Sequence, residues 1–127
     1  EKYDGTNSYT YAKRGQVLLA ERMATAEPDV AFVTGHPGWT GTNAVDDAFG
    51  DDKKYLEPMR TEWQGAEGIA WLMSTERKNL EPGAFFLDRS TQKKHIAGPF
   101  MSEGSFTKNK QSEVDEMMEK LKKAAGL

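Results

Sequence analysis

The chain has 127 residues, 17 basic against 20 acidic side chains and a net charge of -3, a size and balance that suit one soluble domain and provide no basic surface for nucleic acid. Its longest purely apolar stretch, Ile69 to Met73, falls far short of the ~18 residues that cross a bilayer, so no transmembrane segment is expected. Cysteine is absent, which excludes a disulfide framework and a thiolate metal site and leaves the redox compartment open.

The first residue is Glu1 rather than Met, with no basic and apolar leader, so processing, truncation or an incomplete record is expected at this end. A soluble protein of an intracellular or organellar matrix compartment is the expectation for location. From Tyr9 to about Ala26, Ala12, Leu19, Met23 and Ala26 recur at helical intervals, with Val17, Ala20 and Ala24 on a neighbouring stripe. The pattern predicts a helix buried on more than one face, ended by Pro28. Val30-Ala31-Phe32-Val33 is an unbroken apolar run, the signature of a strand covered on both faces in a parallel sheet, and Pro37-Gly38 marks its exit. Phe32 is expected to be deeply buried against protein that this chain does not supply.

Asp46 to Lys54 and Gly98 to Gln111 are polar and loop-like. Thr61 followed by Gln64 predicts a capping box, opening a second buried helix through Ala66, Ile69, Ala70, Leu72 and Met73 and closing near Ser74-Thr75. Pro82-Gly83 is a turn signal, and Ala84-Phe85-Phe86-Leu87 a short strand. Ser112 is placed to cap a last helix whose Val114, Met117, Met118, Leu121 and Ala125 form one docking stripe, with ion pairs Glu116–Lys120 and Glu119–Lys123. Helices alternating with strands, without repeats, predict an α/β fold.

Chemistry concentrates near the start. Tyr9 and Lys13 stand one helical turn apart, so a phenol and an ammonium project from one face. A free phenol titrates near ~10, and a neighbouring cation favours the phenolate, which makes such a pair a proton donor and acceptor near neutral pH. Downstream the chain reads His36-Pro37-Gly38-Trp39-Thr40-Gly41-Thr42. His95 has no partner at metal-ligand spacing, and no metal site is expected. Trp39 and Trp63 are expected in the core rather than lining a pocket, and Asp51 to Lys54 as a solvated part of a mobile lid.

Tyr9 with Lys13, the buried run after them, and the Pro37-Gly38 exit with Thr42 four residues on resemble, in order and spacing, the second half of a short-chain dehydrogenase/reductase active site. The likeness covers nearly the whole chain, most strongly Tyr3 to Thr42 and Thr61 to Asp88. Tyr3-Asp4-Gly5-Thr6 and His36-Pro37-Gly38-Trp39 are similar to the branch that includes dehydrogenase/reductase family member 12. The resemblance implies the carboxyl-terminal half of a Rossmann-type, doubly wound parallel sheet, with residues 1–127 forming part of one such domain. It implies an NAD(P)-dependent interconversion of a carbonyl and an alcohol by hydride transfer.

In that scheme Tyr9 is the acid or base, and Lys13 holds the nicotinamide ribose hydroxyls and activates Tyr9. Pro37 and Gly38 let the backbone pass close to the nicotinamide, Thr40 and Thr42 hydrogen-bond its carboxamide or a phosphate, and His36 keeps a structural role. The family's glycine-rich phosphate loop, its residue choosing NAD or NADP, and its upstream Ser and Asn have no counterpart in this sequence. The implied partner is therefore an amino-terminal half of the same fold or a neighbouring subunit, with a small carbonyl or alcohol as substrate. The alternative is a non-catalytic relic of this fold, kept as an accessory structural subunit of a larger complex.

Overall fold

A computed structural model describes residues 3–95 and 108–127. Helix α1, Gly5–Ala26, begins four residues before Tyr9 because Asp4 caps it, its carboxylate accepting the Asn7 N–H at 3.0 Å. An Asx cap ahead of Gly5 and Thr6 gains a turn that hydrophobic spacing does not register. The prediction of burial on several faces fails along the first half of α1: Tyr3 to Lys13 are all exposed, and only Leu18 and Ala20 are buried.

The strand expected at Val30 to Val33 is displaced towards its exit. β1 is Thr34–Gly35, and Val30 is spent on a turn, its N–H bonding the Glu27 carbonyl. The ladder nevertheless extends backwards, since the Gly83 N–H donates to Phe32 O at 2.7 Å, the Thr34 N–H to Ala84 O and the His36 N–H to Phe86 O. Phe32 is half-buried rather than deep. β2, Phe85–Leu87, lies parallel to β1 with Thr34 opposite Phe85 and Gly35 opposite Phe86. β3, Ser90–Gln92, pairs antiparallel with β2, so the sheet of order β1-β2-β3 is mixed rather than wholly parallel. The two-residue hairpin loop is Asp88-Arg89, at φ 52° and 63°, which is the twist that closes tight hairpins. Sequence periodicity does not find β3 because it is three exposed polar residues.

Alternation along the strands places a helix on each face. Phe86 packs on Trp71 of α3, Glu62–Ser74, with ring centroids 6.2 Å apart. Gly35 points the same way, and a Cβ there would stand 2.7 Å from Ile69 Cδ1 and 2.8 Å from Leu72 Cδ1. Leu80, Ala84 and Phe86, with Ala31, Val33, Trp71 and Leu72 against them, are the core of that layer. Phe85 faces the opposite side, towards Val17 and Leu18 of α1. The capping box forms as predicted, Thr61 and Gln64 bonding each other's backbone N–H groups. One side of α3 is nevertheless bare: Trp63 is 75% and Met73 80% exposed. Of the three tryptophans it is Trp71 that enters the core, while Trp39 is 52% exposed against the edge of Phe49.

The stretch Asp46 to Lys54 is helical, not a loop. Thr42 caps α2, Asn43–Phe49, and a 3₁₀ segment, Gly50–Leu56, continues from it, with Lys53 paired to Asp46. Of Gly98 to Gln111, residues 98–107 lie outside the described part. The last helix, α4, Gln111–Ala125, docks through the first part of its stripe, with Val114 buried and Met117 Sδ 3.8 Å from where a Gly15 Cβ would stand, whereas Leu121 and Ala125 are exposed. Ser112 is not its cap; Glu113 reaches back to the Lys110 N–H at 2.9 Å, and Ser112 falls inside the helix. Glu116 pairs with Lys120 at 2.6 Å, whereas Glu119 takes Lys122 instead of Lys123. Arg14 of α1 donates to Asn109 Oδ1 through Nε (2.8 Å) and Nη2 (2.7 Å), Asn109 donates to Glu113, and Arg22 pairs with Asp115, which fastens α4 to α1. Among the described residues no helix is long and apolar enough to cross a membrane.

Candidate functional site

Two groups of sequence-predicted site residues occupy two elements. On α1, Tyr9 and Lys13 share one face, and Lys13 Nζ lies 5.6 Å from the centroid of the Tyr9 ring. The ammonium thus sits over the aromatic face, an arrangement attracted by the ring quadrupole. Tyr9 is 64% exposed.

The second group is the turn that leaves β1. Gly38 adopts φ +76°, a conformation that disfavours any side chain. Its N–H donates to His36 Nδ1 at 2.8 Å, which fastens the turn and leaves Nε2 as the ring nitrogen that can donate. Thr40 donates long bonds to Pro37 O (3.4 Å) and Gly38 O (3.5 Å) and packs on Gly65 of α3, where a Cβ would stand 2.4 Å from its Oγ1. Thr42 Oγ1 accepts the Val45 N–H at 3.4 Å as the α2 cap, which uses one lone pair and leaves its O–H free to donate. Pro37, Gly38 and Thr40 are therefore brought together. Among the described residues no hydrogen bond joins them to Tyr9 or Lys13.

Two further residues shape this turn. Arg60, just ahead of α3, donates to Asp88 Oδ1 at 2.5 Å and Oδ2 at 2.7 Å, and to the Pro37 carbonyl at 3.3 Å. The paired guanidinium holds the Asp88 carboxyl below the usual carboxylate range, and the carboxylate holds Arg60 more firmly protonated. Sequence inspection misses the pair because its members are 28 residues apart and each looks like a solvated loop charge. His95, away from this turn, is half-buried beside Leu18 and Phe85, and burial pushes its imidazole below the ordinary histidine range.

Over 96 residues, 74% of its length, the chain is 38% identical to dehydrogenase/reductase SDR family member 12 of Homo sapiens, and equally to that of Bos taurus. It is 25% identical over 104 residues to a Streptomyces sp. (strain C5) protein, DnrU, provisionally named a daunorubicin C-13 ketoreductase. The chain belongs to the short-chain dehydrogenase/reductase family. It corresponds to the carboxyl-terminal region of that family. Its matches span 30% of the two mammalian proteins and 36% of the bacterial one, so the chain represents about a third of each relative's length. No family model and no solved structure matches it.

Proposed function

We propose that this chain supplies the proton-transfer and nicotinamide-facing part of an NAD(P)-dependent oxidoreductase that interconverts a carbonyl and an alcohol. The observation that carries the reading is Lys13 over the ring of Tyr9, both residues exposed, on a chain whose relatives are oxidoreductases by name. The donor chemistry fits the nicotinamide ribose end of a dinucleotide: a three-donor ammonium and a phenol hydroxyl suit vicinal ribose hydroxyls, and the Thr42 O–H suits a carboxamide oxygen. Either NAD or NADP fits these residues, because the groups that separate the two belong elsewhere in such a site.

The dinucleotide, when bound, supplies hydride to the carbonyl carbon, or takes it back in the reverse direction. Tyr9 gives its hydroxyl proton to the carbonyl oxygen as the alcohol forms and regains one from solvent. Lys13 stabilises the phenolate left behind and holds the ribose. Pro37, Gly38, Thr40 and Thr42 fix which face of the ring meets the substrate, turning a rare encounter into an oriented one.

The reading includes a partner. β1 ends the described sheet, and its bonds to β2 use Phe32, Thr34 and His36, so the backbone groups of Val33 and Gly35 point to an open edge. An apolar parallel strand with helices on both faces and one free edge suits pairing with a further strand. That strand would come from an amino-terminal half of a doubly wound parallel sheet or from a neighbouring subunit, which would also bring the phosphate loop. Titrating NADH and NADPH into the full-length protein, read by tryptophan fluorescence, tests the proposal. The wild type binds at least one of them, and Lys13→Ala weakens that binding; failure of the wild type to bind either refutes it.

A further inference from the structure

The bidentate pair between Arg60 and Asp88 ties three loops together at one end of the sheet. Arg60 lies before α3, Asp88 in the β2–β3 hairpin, and the turn they meet is Pro37 to Thr40. The backbone of Arg60 is fixed first: its N–H donates to Trp39 O at 2.8 Å and its carbonyl accepts the Gly41 N–H at 2.9 Å. Its side chain then doubles back. A Cβ on Gly38 would stand 2.6 Å from both Cζ and Nε of Arg60, so the guanidinium plane rests against the bare Cα of Gly38. On its other side the same residue is held by His36 Nδ1. A left-handed glycine, free to move by itself, is thus held between an imidazole and a guanidinium.

Exposed ion pairs contribute little to stability, and both partners here reach solvent, with side chains 31% and 59% exposed. What a planar fork supplies is direction. Two parallel N–H···O bonds to Asp88 leave the guanidinium no rotation, and a lysine ammonium cannot reproduce this. Asp88 is itself at φ 52°, aimed by the hairpin whose strands carry the sheet register, so the position of β2 is relayed to the turn leaving β1.

We infer that Arg60 and Asp88 are positioning residues that preset the Pro37–Thr40 turn for the dinucleotide. The inference rests on the oxidoreductase reading above. A turn already in its bound shape spares the ligand the cost of ordering it, and small misplacements of such a segment are costly to both binding and turnover. Neither residue touches the reacting atoms; they act through the backbone of Gly38.

The test uses the full-length protein as wild type, Arg60→Ala, Arg60→Lys and Asp88→Asn, with amide hydrogen exchange, thermal unfolding and NADH or NADPH titration on each. Exchange in the ligand-free protein is expected to quicken at Gly38 and Gly41 in all three variants while the protection of α1 and α3 is kept. Dinucleotide affinity is expected to weaken by about tenfold or more in Arg60→Ala and Asp88→Asn, with Arg60→Lys recovering only part of it. Unchanged exchange at the turn overturns the clamp. Quickened exchange with unchanged affinity overturns its role in cofactor binding, as does full rescue by Arg60→Lys. Loss of protection throughout the molecule in both Asp88→Asn and Arg60→Lys assigns the pair to general stability and overturns the inference. A wild type that binds neither dinucleotide refutes the oxidoreductase reading instead, while the exchange data still report on the clamp.

Discussion

Lys13 holds its ammonium 5.6 Å from the centroid of the Tyr9 ring, above the aromatic face and not at the hydroxyl. Substituting Tyr9 by Phe keeps an aromatic face under that ammonium and deletes only the phenolic hydroxyl.

The first prediction follows directly. In the full-length protein, Tyr9→Phe leaves thermal stability and dinucleotide affinity near their parental values and lowers kcat by about 10²–10⁴-fold, the usual contribution of a positioned acid or base. Steady-state kinetics at saturating dinucleotide measure it. Parental turnover by the Phe variant would remove Tyr9 from the chemistry.

Residues 1–127 alone are predicted to bind neither NADH nor NADPH usefully, because the donors available here address the nicotinamide end and a dinucleotide draws much of its hold from a phosphate-cradling helix terminus. Calorimetric titration of the isolated chain checks this. Micromolar affinity would mean that the described residues already contain an anion site.

Gly38 and Gly50 differ in what a side chain would meet. Both have positive φ, +76° and +49°, but a Cβ on Gly38 meets the Arg60 guanidinium at 2.6 Å whereas one on Gly50 meets nothing within 4 Å. Gly50→Ala should cost about 1–3 kcal/mol by backbone strain alone, since φ 49° with ψ -126° lies outside the left-handed helical well, and Gly38→Ala about 1–3 kcal/mol of strain together with a displaced Arg60. Chemical denaturation measures both costs, and a Gly38→Ala loss that an added Arg60→Ala does not reduce would show that the guanidinium yields freely.

Acid should loosen both ends of the molecule. Glu113 is held below the usual range by the Lys110 N–H and then by the Asn109 amide, and Asp88 by the Arg60 guanidinium. Both folded-state values are depressed, so their stabilisation is present above the ordinary carboxylate range, near ~4, and is lost as pH falls through the folded values beneath it. The melting temperature should therefore fall more steeply in that window for the wild type than for Glu113→Gln or Asp88→Asn. Parallel curves would contradict it.

The sequence makes legible those features written in local periodicity or in short-range polar pairs. The Thr61–Gln64 capping box, the α3 segment, β2 and the docking stripe of α4 all belong to this class. Strand β1 is misplaced because the apolar run from Val30 to Val33 is only partly covered, with Val30 exposed and Ala31 to Val33 half-buried, whereas pairing is decided by where the backbone meets β2, at Thr34 and Gly35. β3 is hidden since Ser90-Thr91-Gln92 is held by a two-residue turn and not by its own side chains. Asp46 to Lys54 looks like a loop by charge, yet Thr42 caps a helix there. For the site, Tyr9 and Lys13 are visible one turn apart, and Pro37-Gly38 as a turn. The fastening of that turn by Arg60 and Asp88 is not visible, for it joins charges that only the fold brings together.

Isotope transfer shows whether hydride reaches a carbonyl carbon in a reaction that needs Tyr9. NADH and NADPH deuterated at the transferable position are incubated with the full-length protein and a panel of aldehydes and ketones, and the product alcohols are analysed by mass spectrometry. Deuterium is expected on the former carbonyl carbon for at least one substrate with wild-type protein, and is expected to be lost with Tyr9→Phe. Absence of labelled alcohol from the whole panel with both dinucleotides, or equal labelling by the Phe variant, would contradict it.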